Sequence, residues 1–510
     1  MVPLVTSPEQ PAPVEPVIEI EPDTPTDPTP LAPERRRRGR FVAVGAAAVA
    51  VALLAGGGTF AVAAWNRALG RQPADALPAS VFAFAQLDLR PGLGQRVAGD
   101  ALVRRAGAAG SPVDLLRELR SPLAEMLDLK DTKLHTWWEG RAGTAKWTHG
   151  GQLVTLAAVA SADDARTRAA LSAVRDARAK GKGSKLGFVL ADGYAVIAVA
   201  DRTDSQAAAE AAVAEARAAS LADDAGYRGA VRRLPADRLA VGWADLDRVR
   251  TAPPALLAEL TPGLSPGEVE KYLHGVVVAA ATAADGALEV RSRLIGGTLP
   301  RSDAPAARGW LDDTPGRPAQ ATAAELPGGF GVDTLMLDSA AFMLLPAPSG
   351  DAAGGGDYEE VAAGVFERHE RDMRAGRAGI DSVNSVGPGS GATVDVRMVD
   401  AAAARRLGAA ATRAFGRGAV VRVAGDRVSV TGAGRRAAGS RLGDDPTYRR
   451  ALAGVPASAE VATFMGEQMW DSAAEAAGGD FRPTRAIEAV GAGYWYDGAD
   501  TVGLARVLVG

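Results

Sequence analysis

The chain has 510 residues, of which 47% are hydrophobic and 23% are charged, and none of them is a cysteine. The lack of cysteine excludes disulfide bonds, cysteine nucleophiles and zinc sites built on cysteine. The formal net charge of -4 leaves no large basic domain, so the composition gives no support for nucleic-acid binding. The length predicts roughly two to four domains, because one domain takes about 100–200 residues.

The first 34 residues are predicted to form a disordered cytoplasmic tail. They hold ten prolines and seven acidic residues, with no lysine or arginine, and they offer too little apolar surface to fold. Thr24-Pro25 and Thr29-Pro30 are candidate phosphorylation sites in this tail. A solvated spacer without modification is the favoured interpretation.

A membrane anchor is predicted after the tail. Residues 35–40 carry five arginines, and residues 41–65 form an uncharged apolar run that is long enough to cross a bilayer as a helix. Because the arginines precede the run, the positive-inside rule places the N-terminus in the cytoplasm and the rest of the chain outside the plasma membrane. The lipid bilayer is therefore the first predicted partner.

Two other interpretations of the apolar run compete with a retained anchor. A signal peptide cleaved after Ala61-Val62-Ala63 is opposed by the acidic leader of 34 residues, which is wrong for a short basic n-region. A buried core helix is opposed by the absence of a polar face in the run. We therefore expect a single transmembrane helix over 41–65.

A short segment occurs twice after this run. LADDAGYR and LGDDPTYR lie 221 residues apart, so that Asp224 corresponds to Asp445 and Tyr227 to Tyr448. Each aspartate is predicted to cap a short helix that carries the tyrosine. Neighbouring carboxylates also serve acid–base catalysis, but their recurrence at a helix start favours capping. We interpret these four residues as structural.

The similarity extends to both sides of this segment. LPASVFAFAQLDLR, from Leu77, resembles LPGGFGVDTLMLD, from Leu326. Hairpins are also predicted in both halves, because Asp and Gly tolerate the left-handed conformation of two-residue turns. The predicted turns are Asp192-Gly193, Asp285-Gly286, Gly425-Asp426 and Asp497-Gly498.

We interpret the chain as two diverged copies of one α+β domain, at 73–300 and 322–510, joined by a linker at 301–321. Hairpins dominate the strand connections, so the sheets are predicted to be mostly antiparallel, with helices over one face. Such copies often pack in pseudo-symmetry. A groove between them is where we expect a ligand.

The first copy resembles a known family. QPADALPASVFAFAQLDLRPGLGQR directly after the apolar run, the tripeptide Trp138-Glu139-Gly140 and the LADDAGYR segment are similar to domain-of-unknown-function family 3352. The resemblance covers roughly 73–300, and the second half more loosely. It implies an envelope protein of high-GC Gram-positive bacteria and no catalytic residues, because the family has no assigned reaction. The chain departs from the family at Trp137, where a single apolar residue is usual, so local packing is expected to differ.

Trp137, Trp138 and Trp147 are the candidate ligand-contacting or interface residues. They lie in the segment LHTWWEGRAGTAKWTH, where flat rings could line a ligand site or grip a sugar. Core and rim aromatics have the same composition, and this second interpretation is favoured.

No residue is assigned to catalysis, cofactor binding or metal binding. The segment 263–267, GLSPG, matches the pattern of a nucleophile elbow, but it follows a predicted helix and turn and fits a helix cap instead. The glycine-rich segments lack the strand and helix context of nucleotide sites. The four histidines show no spacing typical of metal ligands.

The sequence therefore predicts a membrane-anchored extracytoplasmic binding or scaffolding protein of the cell envelope, and not an enzyme. The predicted partner besides the bilayer is a lipid-like ligand or an envelope protein, and no cofactor is expected. Two alternatives stay open. One is a hydrolase acting on lipid or wall polymer, and the other is a signalling receptor with a phosphorylatable cytoplasmic tail.

Overall fold

The computed structural model describes most of the chain from residue 72 onward, and all of the described residues belong to one compact unit. The described residues are 72–88, 93–106, 137–179, 185–201, 203–251, 270, 274–297, 307–314, 318, 320–325, 380–386, 393–398, 400–415, 419–432, 441–467 and 487–510. No helix among them is long and apolar enough to span a bilayer. The predicted span at 41–65 and the predicted tail lie outside the described residues.

The first half of the described chain contains eight strands and five helices. In chain order these are β1 (Ala83–Asp88), α1 (Leu93–Ala106), β2 (Trp138–His149), β3 (Gln152–Ser161), α2 (Asp164–Ala179), β4 (Lys185–Ala191), β5 (Tyr194–Ala200), α3 (Ser205–Ala218), α4 (Ala225–Val231), β6 (Ala240–Asp245), α5 (Leu246–Arg250), β7 (Val276–Ala284) and β8 (Ala287–Ile295).

The second half contains eight strands and three helices among the described residues. They are α6 (Ala307–Asp312), β9 (Gln320–Glu325), β10 (Ile380–Val386), β11 (Thr393–Met398), α7 (Ala401–Phe415), β12 (Ala419–Ala424), β13 (Arg427–Gly432), α8 (Pro446–Ala451), β14 (Val461–Gly466), β15 (Ile487–Asp497) and β16 (Asp500–Val509).

All of these strands join one 16-stranded sheet, and every pairing between them is antiparallel. From one edge to the middle the order is β4-β5-β3-β2-β1-β6-β7-β8. From the other edge to the middle it is β12-β13-β11-β10-β9-β14-β15-β16. The predicted α+β class with mostly antiparallel strands is confirmed, and the two halves share one strand order.

The pairing registers of the two halves also agree. Ala240 pairs with Ala281 in the first half, and Val461 pairs with Tyr494 in the second. Val461 lies 221 positions after Ala240, which is the same shift that relates Asp224 to Asp445. Strand order and register therefore place the repeated segment at the same point of each half.

The hairpin turns follow from Asp and Gly at left-handed positions. Asp192-Gly193 and Asp285-Gly286 both have positive φ at each turn residue, and Gly425 has a positive φ at its turn. The fourth turn differs from its prediction by one residue, because Asp497 pairs with Asp500 and the turn is Gly498-Ala499. Gly498, with φ 63°, supplies the left-handed conformation at the first turn position.

The predicted linker at 301–321 contains regular structure. It holds α6 and the first residues of β9. In the strand order of the second half, β9 occupies the position that β1 occupies in the first half. The sequence similarity predicts the segment from Leu326 for this position, and that segment lies outside the described residues. The run QATAAE has only one β-branched residue, Thr322, to suggest a strand, but Ala321 and Ala323 are fully buried against α6 and α8.

One helix of the first half has no room in the second. Twenty residues separate β5 from Leu221, and they hold the 14-residue α3. Only nine residues, 433–441, separate β13 from Leu442. The helix α3 packs on β4 and β5, so the outer strands of the two halves have different surroundings.

Candidate binding groove at the seam of the sheet

The two halves meet at a seam, which we define as the β8–β16 pair. Its register runs from Leu294 opposite Thr501 to Ala287 opposite Leu508. The residues that close the last hairpins, Ala287 and Asp500, are 213 positions apart. By the same shift Arg293 on β8 corresponds to Arg506 on β16. The seam therefore carries one arginine from each half at an equivalent position.

On the side of the first half, the seam arginine is neutralised by the protein itself. Arg293 bridges to Asp497 at 2.9 Å and to Asp500 at 3.3 Å. Arg233, just after α4, also pairs with Asp500. The Asp500 carboxylate is almost fully buried between these two guanidinium groups. An internal anion thus fills this side of the seam.

On the side of the second half, an open groove of about 470 Å³ lies at the seam. We call it the seam groove. Its lining residues are Asp285, Pro446, Arg449, Arg450, Ala453, Arg506 and Leu508. The groove combines three arginines with an apolar wall, and it draws residues from both halves.

The arginines of the seam groove differ in their partners. The buried Arg506 pairs with Glu289 at 3.0 Å and donates through Nη1 to the carbonyl of Arg450 at 2.9 Å. Arg450 pairs with Glu488 at 3.1 Å. The exposed side chain of Arg449 forms no ion pair with any residue in the described part of the chain. Two guanidinium groups are thus held in place, and a third is available to an anion.

The repeated segment sets the position of these arginines. The Asp445 carboxylate accepts from the backbone N–H of Thr447 at 2.7 Å and of Tyr448 at 3.2 Å, and Pro446 occupies the first turn of α8. Tyr448 is fully buried, so the next two residues, Arg449 and Arg450, fall on the exposed side of the helix.

Tyr448 anchors α8 through its ring and its hydroxyl. The hydroxyl donates to Asp312 at 2.8 Å, the ring meets Phe464 edge to face at 5.3 Å, and the Arg308 guanidinium lies 5.2 Å from the ring centre. Burial raises the pKa of Tyr448 above its ordinary value, and the hydrogen bond to Asp312 raises it further. These contacts fix the helix that carries the groove arginines.

The first copy of the segment has a similar local structure. Asp224 caps α4 by accepting from the Tyr227 N–H at 2.8 Å, and its other oxygen meets Arg248 at 3.1 Å. The Tyr227 ring packs edge to face against Phe84 and Trp243, each at 5.7 Å. Burial raises the pKa of Tyr227 above its ordinary value. Asp224 and Tyr227 therefore act in capping and packing.

The three candidate tryptophans lie in the core and away from the seam. Trp137 and Trp138 belong to one hydrophobic cluster, and Trp147 belongs to another. Trp138 donates to the carbonyl of Arg141 at 2.7 Å, and Trp147 donates to Ser80 at 2.9 Å. All three are buried, Trp137 and Trp147 to 1% exposure, because their apolar rings pack between the sheet and its helices. They do not line the seam groove.

Sequence reasoning missed the groove arginines. The signal that could have found them is the strand ALEVRSRLI, in which Glu289, Arg291 and Arg293 alternate with uncharged residues. Such alternation places three charges on one face of a strand. It does not tell which strand that face meets, because Arg506 lies more than 200 residues further along the chain.

No family model, no curated protein and no solved structure matches the chain. The resemblance of its first half to domain-of-unknown-function family 3352 stays a prediction. Among the described residues, no group of three His, Asp or Glu side chains is arranged to hold a metal ion.

Proposed function

We propose that the chain is a single-pass membrane protein whose extracytoplasmic part consists of two diverged copies of one α+β domain and binds a ligand in the seam groove. The single observation that carries the binding function is the exposed Arg449, which has no ion pair within the described residues, beside Arg450 and the buried Arg506 in an open groove with an apolar wall. Glu289 and Glu488 neutralise Arg506 and Arg450, so Arg449 carries the charge that no acid of the described residues neutralises.

The duplication is supported by the fold. The two halves share strand order, pairing register and a capped helix with a buried tyrosine. A groove at the junction of two copies is a common place for a ligand, because residues of both copies converge there. Here Asp285 comes from the first half, and the other lining residues come from the second.

The location rests on the sequence. The apolar run at 41–65 and the arginines at 35–40 support a retained anchor with the sheet outside the cytoplasm. A protein held at that surface meets lipid-like molecules and envelope proteins. The seam groove then serves as a binding or scaffolding site, without a reaction of its own.

The test uses the full chain purified in a non-ionic detergent and weighed by native mass spectrometry. Ala453→Trp fills the groove at its exposed wall. The matched control is Ala169→Trp, an exposed alanine on α2, far along the sheet from the seam. We expect a co-purifying adduct in the wild type and in Ala169→Trp but not in Ala453→Trp. An adduct of equal occupancy in all three, or in none, would contradict the proposal.

Membrane topology has its own test, because the chain has no native cysteine. A membrane-impermeant maleimide should label Ala453→Cys on intact cells and should label Ser7→Cys only after lysis. The reverse pattern would overturn the proposed orientation.

A further inference from the structure

We propose that the ligand of the seam groove carries a phosphate group, which Arg449, Arg450 and Arg506 hold. This inference rests on the proposed function, and it adds the chemical class of the ligand. The shared chemistry is a phosphate ester or free phosphate. The apolar wall formed by Pro446, Ala453 and Leu508 favours an ester with a hydrocarbon part.

The other side of the seam shows what this position in the fold accepts. There, Asp500 places a carboxylate between Arg233 and Arg293. The residue equivalent to Asp500 on the groove side is Ala287, because Asp500 and Ala287 each directly follow the turn of the last hairpin in their half. The groove side therefore has no carboxylate at the position of Asp500. Its seam arginine, Arg506, pairs with Glu289 instead, and the exposed Arg449 has no acidic partner among the described residues, so an anion from outside is the partner that this side lacks.

The ion pairs of the groove position its arginines for this task. Glu289 lies 3.0 Å from Nε of Arg506 without a hydrogen bond to that atom, and Glu488 accepts a hydrogen bond from Nη1 of Arg450. Each contact uses only part of a guanidinium group, which has five N–H donors in a fixed fork. The remaining N–H donors of Arg450 and Arg506 stay available. The N–H donors of Arg449 have no acidic partner among the described residues. Preorganised forks of this kind suit the tetrahedral oxygens of phosphate.

The net charge around the seam groove limits which anions can bind there. The exposed Asp285 lies on the lining of the groove, and the exposed Arg105 of α1 reaches Gly286 beside it. Counting these with the ion pairs, five arginines face Asp285, Glu289 and Glu488; they are Arg105, Arg291, Arg449, Arg450 and Arg506. Five positive charges against three negative ones leave two positive charges. A single phosphate group matches this excess better than a long polyanion does.

The test measures binding of three probes to the full chain in a non-ionic detergent by titration calorimetry. The probes are octyl phosphate, inorganic phosphate and octyl glucoside, which is uncharged. The variant is Arg449→Gln, which removes one exposed charge and no described contact. The control is Arg168→Gln on α2, also exposed and without an ion pair among the described residues. The octyl probes partition into the detergent to the same extent with each protein variant. The ratio of the dissociation constants of two variants therefore reports binding at the site.

We expect octyl phosphate to bind the wild type and Arg168→Gln equally, and to bind Arg449→Gln at least about tenfold more weakly, as the loss of one charge-assisted contact implies. Octyl glucoside should not compete. Octyl phosphate binding about tenfold tighter than inorganic phosphate identifies a lipid headgroup as the source. Equal affinity of the two identifies free phosphate.

Two results would overturn the inference. One is no phosphate binding by the wild type, and the other is equal affinity of the wild type and Arg449→Gln. If phosphate fails while the adduct of the wild type is still lost in Ala453→Trp, the ligand class is wrong and the proposed binding function stands. If the adduct is absent as well, both proposals fall.

Discussion

Arg291 on β8 and Leu504 on β16 lie directly opposite each other at the seam, and they also occupy equivalent positions of the two halves. Each of them lies four residues after the residue that follows its hairpin turn, Ala287 or Asp500. A residue that pairs with its own equivalent marks a local twofold axis through the sheet. The axis exchanges the Arg293–Val502 pair with the Glu289–Arg506 pair.

A twofold axis of this kind is typical of an interface between two identical subunits, in which each surface meets a copy of itself. Its presence within one chain supports the proposed duplication. It also identifies where the two halves differ. Glu289 pairs with Arg506. The residue equivalent to Glu289 is Val502, which carries no charge, so Arg293 pairs with Asp497 and Asp500 instead.

The hydroxyl of Tyr448 is expected to contribute to stability, and that of Tyr227 is not. Tyr448→Phe removes the hydrogen bond to Asp312 and should lower the free energy of unfolding by about 1 kcal/mol. Tyr227→Phe is the matched control, because the Tyr227 hydroxyl makes no hydrogen bond within the described residues. Urea unfolding measures both. Equal losses in the two variants would refute the assignment.

Two capping aspartates should also differ in their contribution to stability. Asp204→Ala removes the cap of α3 and should cost about 1 kcal/mol. Asp224→Ala removes a cap and also a partner of Arg248, whose Nη1 donates to the carbonyls of Ala79 and Val81. We expect its cost to be about 2 kcal/mol. Thermal unfolding of the two variants measures both costs, and a larger loss for Asp204→Ala would contradict the expected order.

The sequence predicts the fold class, three of the four hairpin turns and the capped helices, because these depend on local patterns. Asp and Gly at turns, and Asp before a short helix, act within a few residues. The seam was not predictable in this way, since the pairing of β8 with β16 joins residues that are far apart in the chain. The strand β9 was missed because its alanines are selected by packing against α6 and α8, and not by strand propensity.

Gly187 and Val420 occupy equivalent places on the edge strands, and a branched side chain should be tolerated at only one of them. A Cβ on Gly187 would overlap the backbone of Ser205 and Gln206 at the start of α3. Gly187→Val should therefore lower the free energy of unfolding by about 3 kcal/mol or more. Val420 is 54% exposed, and the second half has no room for an equivalent of α3 between β13 and α8. Val420→Lys should stay within about 0.5 kcal/mol of the wild type.

Denaturation midpoints of the two variants in urea test this difference. A mild effect of Gly187→Val would mean that α3 does not rest on β4 as described. A large effect of Val420→Lys would mean that the exposed face of β12 is covered in solution.

Stability should fall at alkaline pH because four tyrosines among the described residues are buried. Burial raises the pKa of each above the ordinary value of about 10; the four are Tyr194, Tyr227, Tyr448 and Tyr494. Above pH 10 the unfolded chain loses these protons while the folded chain keeps them. The unfolded state then binds fewer protons, so the free energy of unfolding decreases as pH rises.

Urea unfolding at pH 9 and pH 11 measures this decrease. Each tyrosine contributes at most about 1.4 kcal/mol per pH unit. Tyr494→Phe should reduce the slope, since its ring no longer carries a proton to lose. An unchanged slope in that variant would show that Tyr494 titrates normally in the folded protein.

Removal of the internal carboxylate at Asp500 should convert the closed side of the seam into a second anion site. Asp500→Ala reproduces the alanine found at Ala287 on the groove side and leaves Arg233 and Arg293 without their shared partner. We expect the free energy of unfolding to drop by about 2 kcal/mol, because a buried carboxylate with two charged partners is lost. Added phosphate should then restore part of that stability, since a ligand that binds only the folded state stabilises it in proportion to its occupancy.

The comparison needs wild type, Asp500→Ala and Arg291→Gln, each unfolded with and without phosphate. Arg291 is half-exposed and meets Glu289 at 3.3 Å, so its loss should change stability little. Octyl phosphate titration should report about two sites per chain in Asp500→Ala and one in the wild type. A loss of stability that phosphate does not recover, with an unchanged number of sites, would show that the two sides of the seam are not equivalent in the way that the twofold axis implies.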